Sequence, residues 1–309
     1  MTLLICLPEN MGPSGLKKEL LSIDCNLKIE IEPRLVKDPQ KVEFAIVWKH
    51  ESGILLNYKN LKAILAYGHG VDSVLTDEKL PYGVPILRLK SEVMADSMNE
   101  YLLAVVLLYK RQLLKHLNKK NKFDWGISSN LNISSIGILG LGFLGKSAAN
   151  NFLRMGFDVS GWSRTEKKLK KIRSFKGKSG MIKMLRNTDI LINLLPLTNE
   201  TKSLLNSNVL LNLKRGAYFI NVGRGETLVE EDLIPLLDCG HLSGACLDVF
   251  KTEPLPKNHP FWRHKKIIIT PHNSSTTPHN SVTEQIIQNY RRAVSGEKLL
   301  NIVDLNKGY

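Results

Sequence analysis

Short apolar segments alternate with longer amphipathic segments along most of the chain. In the first part of the sequence, segments rich in branched apolar residues and bounded by polar or turn-forming residues predict β-strands. These segments are LLICL (3–7), LKIEI (27–31), FAIVW (44–48), KAILAY (62–67) and VPILRL (84–89). The segment 91–117 that follows has dense apolar positions, and it predicts a largely buried helix with Ser91 as its cap.

The alternation restarts at SSIGILG (134–140) and continues almost to the end of the chain. Further strands are predicted at FDVSGW (157–162), DILINLL (189–195), AYFINV (217–222), SGACLDVF (243–250) and IIITPH (267–272). A final helix is predicted over 280–296. Alternating strands and helices favour parallel sheets with helices on both faces. The pattern therefore predicts an α/β protein of two units joined by a long helix, with the last helix returning to the first unit.

The chain of 309 residues has a formal net charge of +14, which is compatible with nucleic acid, acidic membranes or small anions as partners. The lysine-rich stretches 115–122 and 167–173 alternate with apolar residues, as solvated helix faces do, and no nucleic-acid-binding motif accompanies them. The longest apolar run, 101–109, is far shorter than the ~20 residues that cross a bilayer. We therefore expect small anionic ligands, and neither a nucleic-acid nor a membrane partner.

Cysteine and histidine spacing indicates neither a disulfide framework nor a metal site. The four cysteines form no CxxC pair, and the histidines form no HExxH pattern. The start of the chain has no basic region before its apolar residues, so it is predicted to be a first strand and not a signal peptide. We expect free thiols, no metal and a cytoplasmic location.

The stretch 137–165 has the pattern of a dinucleotide-binding turn. An apolar strand leads into Gly140-x-Gly142-x-x-Gly145, a helix begins within the motif, and a second strand follows. Three glycines alone can mark any tight turn, but this context favours a nucleotide over a purely structural role, because the helix N-terminus offers N–H groups to the phosphates. The predicted cofactor contacts here are Gly140, Gly142, Phe143, Leu144 and Gly145.

The second strand of this unit ends without the acid that usually holds a ribose hydroxyl. Asp158 stands at the start of that strand, whereas Ser163, Arg164 and Thr165 stand at its carboxyl end. An acid there would repel a 2′-phosphate, while a guanidinium and two hydroxyls would bind one. The alternative is an exposed arginine in a basic loop. The residues favour NADP(H) as the cofactor over NAD(H).

Later segments each place an unusual polar residue after a predicted strand. Arg224 lies between two glycines in INVGRGE, Glu253 precedes a proline in DVFKTEPLP, and His272 follows a proline in IIITPHNSS. Each residue alone has an ordinary explanation as a surface arginine, a solvated glutamate or a capping histidine. Together, at the carboxyl ends of strands beside the nucleotide turn, they predict an active site.

Blocks of this sequence, in their order along the chain, resemble the D-isomer-specific 2-hydroxyacid dehydrogenase family. The blocks are GILGLGFLGKSAA, WSRT, LINLLPLTNET, GAYFINVGRG, LDVFKTEPLP and ITPH. AIVWKH, GHGVDSVL and VDLNKGY are similar to the glyoxylate/hydroxypyruvate reductase A-like branch in particular.

The resemblance implies two Rossmann-like or flavodoxin-like domains with parallel sheets. A nucleotide-binding domain, 98–280, would be inserted into a discontinuous substrate domain formed by 1–97 and 281–309, with the substrate in a cleft between them. It also implies a homodimer that associates through the cofactor domain.

The resemblance further implies a role for each matched residue. Arg224 would hold the substrate carboxylate and polarise its carbonyl, His272 would deliver the proton, and Glu253 would favour the protonated imidazole. Substrate contacts would come from Gly68, His69 and Gly70 in the segment 67–72 and from Trp48, whose indole would close the pocket. From its position alone, Trp48 could equally be an ordinary core tryptophan, and the resemblance of VWKH favours the pocket. Further cofactor contacts would come from Leu195, Pro196, Val222 and Asp248. His69 and the continuation PHNSSTT depart from the family pattern.

The function that the resemblance implies is NADPH-dependent reduction of small 2-oxoacids, glyoxylate to glycolate and hydroxypyruvate to D-glycerate, with NADH as a second possible cofactor. One alternative is another 2-hydroxyacid specificity within the family. The other is a non-catalytic, NAD(P)-sensing binding protein similar to the corepressors that share this fold. The Arg224, Glu253 and His272 set favours the enzyme.

Overall fold

Parallel strands form two separate sheets in the computed structural model, which describes residues 2–127 and 129–308. In chain order the strands are β1 (Thr2–Cys6), β2 (Ile29–Glu30), β3 (Val42–Val47), β4 (Ala63–Ala66), β5 (Ile86–Arg88), β6 (Ser135–Leu139), β7 (Asp158–Trp162), β8 (Arg173–Phe175), β9 (Ile190–Asn193), β10 (Ala217–Asn221), β11 (Leu242–Leu247) and β12 (Ile267–Ile269). Every predicted strand is confirmed in position, although most are shorter than predicted. The strand β8 was not predicted, because its three residues are mostly polar or exposed.

The helices connect the strands and cover the sheets. They are α1 (Pro13–Ile23), α2 (Asp72–Leu75), α3 (Glu92–Lys110), α4 (Leu113–Lys120), α5 (Phe143–Arg154), α6 (Gly177–Leu185), α7 (Ser207–Leu210), α8 (Glu230–Asp238) and α9 (Thr283–Ser295). Short 3₁₀ turns lie at Glu9–Met11, Pro39–Lys41, Ile54–Asn57, Gly225–Thr227, Pro260–Arg263 and His279–Ser281.

The long helix predicted over 91–117 is wrong in one respect, because it is broken into α3 and α4. Gln112 adopts a left-handed conformation with φ of 55°, which a continuous α-helix cannot contain. The N–H of Leu131 donates to the carbonyl of Lys110, so a later segment satisfies the carbonyl at the end of α3. Hydrophobic periodicity continues through the break and cannot reveal it.

The chain folds as two compact units. One contains the described residues of Met1–Val93 and Thr277–Tyr309, and the other is Met94–Thr276. Both boundaries lie a few residues before the predicted ones at 97/98 and 280/281. The first unit is discontinuous in sequence, because α9 packs against β3 and β4, and the N–H of Val303 donates to the carbonyl of Ile86.

The first unit has a five-stranded parallel sheet in the order β2-β1-β3-β4-β5, the flavodoxin-like order. Helices α1 and α9 pack on one another and cover one face. The rings of Phe44 and Tyr290 meet there edge to face, with centroids 5.9 Å apart. β3 leads directly into Trp48, and β4 leads into the loop that begins at Tyr67.

The second unit has a seven-stranded parallel sheet in the order β12-β11-β10-β9-β6-β7-β8. This is the Rossmann order extended by one strand, and the order reverses beside β6. The pairing register aligns the last residues of the six strands β6, β7 and β9 to β12 in one row, consisting of Trp162, Leu139, Asn193, Asn221, Leu247 and Ile269. Whatever follows these strands therefore lies along one edge of the sheet, where ligands bind in folds of this kind. The predicted α/β fold class is confirmed.

Among the described residues, the longest helices lack the combination of length and apolar character that a membrane crossing requires.

Candidate active site

The glycine turn after β6 has the shape that a dinucleotide requires. Gly140 has φ of +99°, which favours glycine, and a Cβ added there would lie 2.8 Å from the carbonyl oxygen of Leu194. A Cβ at Gly145 would lie 1.8 Å from the oxygen of Gly140, so only glycine lets α5 approach the turn. A Cβ at Gly142 would meet nothing within 4 Å, which leaves this side of the turn open above the first N–H groups of α5.

The segment after β7 brings Arg164 to the carboxyl edge of the sheet. The hydroxyl of Ser163 donates to the carbonyl of Thr165 at 2.7 Å, which fixes the turn that carries the arginine. Arg164 Nη1 lies 3.3 Å from Glu200 Oε2, and 32% of the arginine side chain is exposed against 68% of the glutamate. Arg164 is therefore partly buried and lies beside an acid that the sequence did not single out. Asp158 lies at the opposite end of β7, where it pairs with Arg173.

Arg224 extends from a turn that is tightly held on both sides. It follows β10 in an extended conformation, with φ of −140° and ψ of 142°, and its Nη1 donates to the carbonyl of Gly223 at 2.8 Å. A Cβ at Gly225 would lie 1.9 Å from the carbonyl carbon of Phe250. The turn of Arg224 is therefore packed directly on the segment that follows β11.

Glu253 and His272 form a hydrogen-bonded pair, with 2.8 Å between His272 Nδ1 and Glu253 Oε2. The other carboxylate oxygen of Glu253 accepts from the N–H of Phe250 at 3.1 Å, so the acid is anchored to its own turn. The exposed fraction is 41% for the side chain of His272 and 23% for that of Glu253. A carboxylate on one ring nitrogen fixes the orientation of an imidazole, and it directs the other nitrogen away from the acid.

Asp248 is fully buried and organises the backbone around His272. Its Oδ1 accepts from the hydroxyl of Thr270 at 2.6 Å and from the N–H of Asn273 at 2.9 Å, and its Oδ2 accepts from the N–H of Ser274 at 3.0 Å. Its carbonyl also accepts from the N–H of His272 at 2.9 Å. These bonds hold His272 in a left-handed conformation with φ of 52°.

Tyr101 adds a further hydrogen bond to the network around Asp248. Tyr101 Oη lies 2.7 Å from Thr270 Oγ1, which donates to Asp248. Burial raises the pKa of Tyr101 well above its usual value, so the phenol stays neutral. The sequence assigned only a cofactor contact to Asp248, and the structure adds a contact with the loop that carries His272.

The remaining predicted cofactor residues follow the same strand ends. Leu195 and Val222 are buried, Pro196 is half-buried, and Phe143 and Leu144 begin α5 beside the glycine turn. The seven-stranded sheet thus collects the nucleotide turn, Arg224 and the Glu253–His272 pair along one edge.

The predicted substrate residues of the first unit also lie together. A Cβ added at Gly68 would lie 2.9 Å from Cζ3 of Trp48, so the indole rests against the start of the glycine loop. The N–H of Gly68 donates to the carbonyl of Ala66 at 2.9 Å. His69 and Gly70, which follow, are half-buried.

A buried acid fixes the segment that follows Trp48. Asp77 accepts from the hydroxyl of Ser52 at 2.6 Å and from the N–H of Gly53, and its Oδ2 lies 3.1 Å from His50 Nε2. Burial alone would raise the pKa of Asp77, but these hydrogen bonds and one from the N–H of Lys79 outweigh it and lower the pKa to about 2. The ionised carboxylate is therefore the anchor of this segment near neutral pH.

Sequence reasoning missed a buried polar cluster next to Arg224 that consists of Asn193, Asn221 and Thr227. One signal was available, because two predicted strands, DILINLL and AYFINV, both carry Ile-Asn near their carboxyl ends. Glu200 was missed as well, and nothing in its local sequence distinguishes it.

All four cysteines, Cys6, Cys25, Cys239 and Cys246, are free thiols. Within 2–127 and 129–308, no group of three or more His, Cys, Asp or Glu side chains is arranged to hold a metal ion.

Comparison with known proteins supports the assignment that the geometry suggests. Residues 103–274 match the family model for the NAD-binding domain of D-isomer specific 2-hydroxyacid dehydrogenases. Glyoxylate/hydroxypyruvate reductase A of Serratia proteamaculans is 41% identical over 282 residues, which cover 88% of this chain and 89% of the relative.

Two solved structures are similar over the full chain. A D-isomer specific 2-hydroxyacid dehydrogenase of Xanthobacter autotrophicus, in complex with NADPH and MES, has 36% identity and a TM-score of 0.94, covering 100% of this chain and 99% of that one. An NADPH-dependent glyoxylate/hydroxypyruvate reductase of Sinorhizobium meliloti, in complex with NADP and sulfate, has 30% identity and a TM-score of 0.93 with the same coverage. The chain belongs to the D-isomer specific 2-hydroxyacid dehydrogenase family.

Proposed function

We propose that this protein is an NADPH-dependent reductase that converts glyoxylate to glycolate and hydroxypyruvate to D-glycerate. The observation that carries the proposal is the 2.8 Å hydrogen bond between His272 and Glu253, on the sheet edge that also holds Arg224 and the glycine turn. The reductases of Serratia and Sinorhizobium described above support the substrates, and the complexes with NADPH and NADP support the cofactor.

The residues of the nucleotide turn fit a dinucleotide. The close approach of Gly145 to Gly140, the open side of Gly142 and the N-terminus of α5 together form a cradle for a pyrophosphate. Arg164 lies at the end of β7, where it would bind a 2′-phosphate, and Leu195, Pro196 and Val222 would line the cofactor. NADPH, when bound, supplies the hydride that reduces the carbonyl carbon.

The side chains of the chain itself do the rest of the chemistry. The guanidinium of Arg224 binds the substrate carboxylate and polarises the adjacent carbonyl, a geometry that suits a planar fork of donors. His272 donates a proton to the carbonyl oxygen, and Glu253 orients the imidazole and stabilises its positive charge. Asp248 holds the loop that carries His272, and we propose that it also accepts from the nicotinamide carboxamide.

In the first unit, we propose that the loop after β4 binds the carboxylate of the substrate and that Trp48 limits the size of its substituent. The N–H of Gly68 is already directed to Ala66, so the later part of the loop, with His69 and Gly70, supplies the contacts. The unit that contains 2–93 and 277–308 is accordingly the proposed substrate domain, and 94–276 is the cofactor domain.

We also propose that the protein is a cytoplasmic homodimer, without a nucleic-acid partner. The four free thiols suit a reducing compartment. The segment after α4 exposes three large apolar side chains almost completely, namely Phe123 and Trp125 at 98% and Ile127 at 94%. Leu113, Leu114 and Leu117 of α4 are exposed too. Apolar residues clustered in this way usually become buried in an interface.

The substrate proposal predicts a preference for small 2-oxoacids. With NADPH, kcat/KM should be highest for glyoxylate and hydroxypyruvate and lowest for phenylpyruvate, because overpacking a pocket costs ~1–3 kcal/mol. Trp48→Ala should reduce the ratio of kcat/KM for glyoxylate to kcat/KM for phenylpyruvate. Tyr82→Ala, at a fully exposed residue of the same unit, should leave that ratio unchanged. A parent enzyme that prefers phenylpyruvate would contradict the role of Trp48.

The catalytic proposal predicts a loss of turnover in His272→Ala. Removing a general acid typically lowers kcat by ~10²–10⁴-fold, while NADPH binding, measured by its fluorescence, should stay near the parent value. His264→Gln is the matched control, because His264 also faces a carboxylate, with Nε2 3.2 Å from Asp238 Oδ1, but has no proposed role. If His272→Ala retained parental kcat at neutral pH, another group would have to be the acid.

The cofactor proposal predicts that Arg164→Ala weakens NADPH use and spares NADH. Hydrogen bonds to charged groups contribute ~1.5–3 kcal/mol, so kcat/KM for NADPH should fall roughly tenfold to a hundredfold. Arg173→Ala removes an arginine from the other end of the neighbouring strand and should change neither value. Equal losses with both cofactors would show that Arg164 supports the fold or the pyrophosphate instead.

The oligomer proposal predicts a particle of twice the chain mass of 34.8 kDa by light scattering. Trp125→Glu should shift it toward the monomer, because a charge does not tolerate burial in an apolar interface. Trp262→Glu, at a half-exposed tryptophan elsewhere in the same unit, should remain dimeric. A monomeric parent at micromolar concentration would rule the homodimer out.

A further inference from the structure

A hydrogen-bonded cluster lies beneath Arg224, and its members are fully buried. Asn193 ends β9, Asn221 ends β10, and Thr227 lies in the 3₁₀ turn after Arg224, all with 0% exposure. Asn193 Nδ2 donates to Asn221 Oδ1 at 2.9 Å and to Thr227 Oγ1 at 2.8 Å. Two adjacent strand ends and the arginine turn are thereby joined through one side-chain amide.

The side-chain donors of Thr227 and Asn221 are directed toward the main chain around Arg224. The Thr227 hydroxyl accepts from Asn193, so its single proton goes to the carbonyl of Arg224, at 2.6 Å. Asn221 Nδ2 donates to the same carbonyl at 3.3 Å, and Asn221 Oδ1 accepts from the N–H of Gly223 at 3.2 Å. The carbonyl of Arg224 and the N–H of Gly223, one residue before it, are therefore fixed by buried side chains. Breaking such a buried network is costly.

A separate hydrogen bond joins the cluster to the segment that is proposed to contact the cofactor. Asn193 Oδ1 accepts from the N–H of Leu195 at 3.2 Å, and Leu195 lies in the segment proposed to contact the cofactor. The hydroxyl of Thr227, by contrast, bonds to the carbonyl of Arg224 and to Asn193 Nδ2. The Asn193 side chain thus bonds to both the Leu195 segment and the Arg224 turn, whereas the Thr227 hydroxyl bonds to the Arg224 turn and to Asn193 itself.

We propose that Asn193, Asn221 and Thr227 are positioning residues that hold the Arg224 guanidinium in place for the substrate carboxylate. Thr227 acts on the substrate side alone, and Asn193 acts on both the substrate side and the cofactor side. This inference rests on the proposed function, because it concerns the arginine that binds the oxoacid. A small displacement of such a group lowers the rate strongly, since catalysis depends on orientation.

The test compares Thr227→Val, which keeps the shape of the side chain, with Thr227→Ser, which keeps the hydroxyl. Thr227→Val loses the bond to the Arg224 carbonyl and the acceptor of Asn193 Nδ2, so it should raise KM for glyoxylate about tenfold and leave the Kd for NADPH unchanged. Thr227→Ser should keep the KM for glyoxylate at the parent value. Asn193→Ala should raise both the KM for glyoxylate and the Kd for NADPH.

Binding of oxalate, a carboxylate that cannot be reduced, supplies a readout apart from turnover. Calorimetry should show weaker oxalate binding in Thr227→Val and in Arg224→Gln, and no further weakening when the two changes are combined. Additive losses would mean that Thr227 acts on the fold generally and would overturn the proposal. If Thr227→Val does not fold, Thr227→Ala takes its place.

The two proposals fail in different ways. If Arg224→Gln binds oxalate like the parent, the proposed role of Arg224 is wrong. If Arg224→Gln loses binding but Thr227→Val keeps the parent KM and oxalate affinity, only the positioning role is wrong.

Discussion

Direct backbone contact along the carboxyl edge of the seven-stranded sheet is the constraint on which the site depends. Gly140 abuts Leu194, Gly223 abuts Leu195, and Gly225 abuts Phe250, each so closely that a Cβ would lie within 3 Å of backbone atoms. Phe250 in turn donates to Glu253, which holds His272. The nucleotide turn, Arg224 and the Glu253–His272 pair are therefore linked by a continuous series of close backbone contacts and hydrogen bonds. A side chain at any of these glycines would push two of the linked segments apart.

Buried polar side chains orient the main chain of the segments that the glycines allow to pack closely. Close packing brings the segments together, but it does not orient the peptide groups, and those at strand ends lack partners from the sheet. Asp248 supplies acceptors to the loop of His272, and the Asn193 cluster supplies donors to the turn of Arg224. Asp248 and the Asn193 cluster, both fully buried, thus fix the segments that carry the two reactive side chains through their main chains.

The sequence was sufficient for the fold class and for the positions of most strands, because buried parallel strands are continuous apolar runs bounded by turns. The glycine motif and the residues after strands located the edge of the sheet, since parallel order collects the strand ends. The break at Gln112 and the strand β8 escaped detection, because a single left-handed residue and a short polar strand leave no periodic signal. The Asn193 cluster escaped for a different reason, because Asn193 bonds to Asn221 and Thr227, which lie 28 and 34 residues away in sequence.

Arg164 and Glu200 illustrate the same limit for charge. The sequence indicates an arginine where a 2′-phosphate would bind, but it cannot reveal that an acid from the segment after β9 lies 3.3 Å away. The guanidinium has several N–H donors, so a carboxylate and a phosphate can bind different edges of it, yet the two anions repel each other. Because Glu200 is mostly exposed, solvent and salt weaken that repulsion. On the proposed role of Arg164, the preference for NADP(H) would therefore be the attraction between Arg164 and the 2′-phosphate less the partly screened repulsion between that phosphate and Glu200.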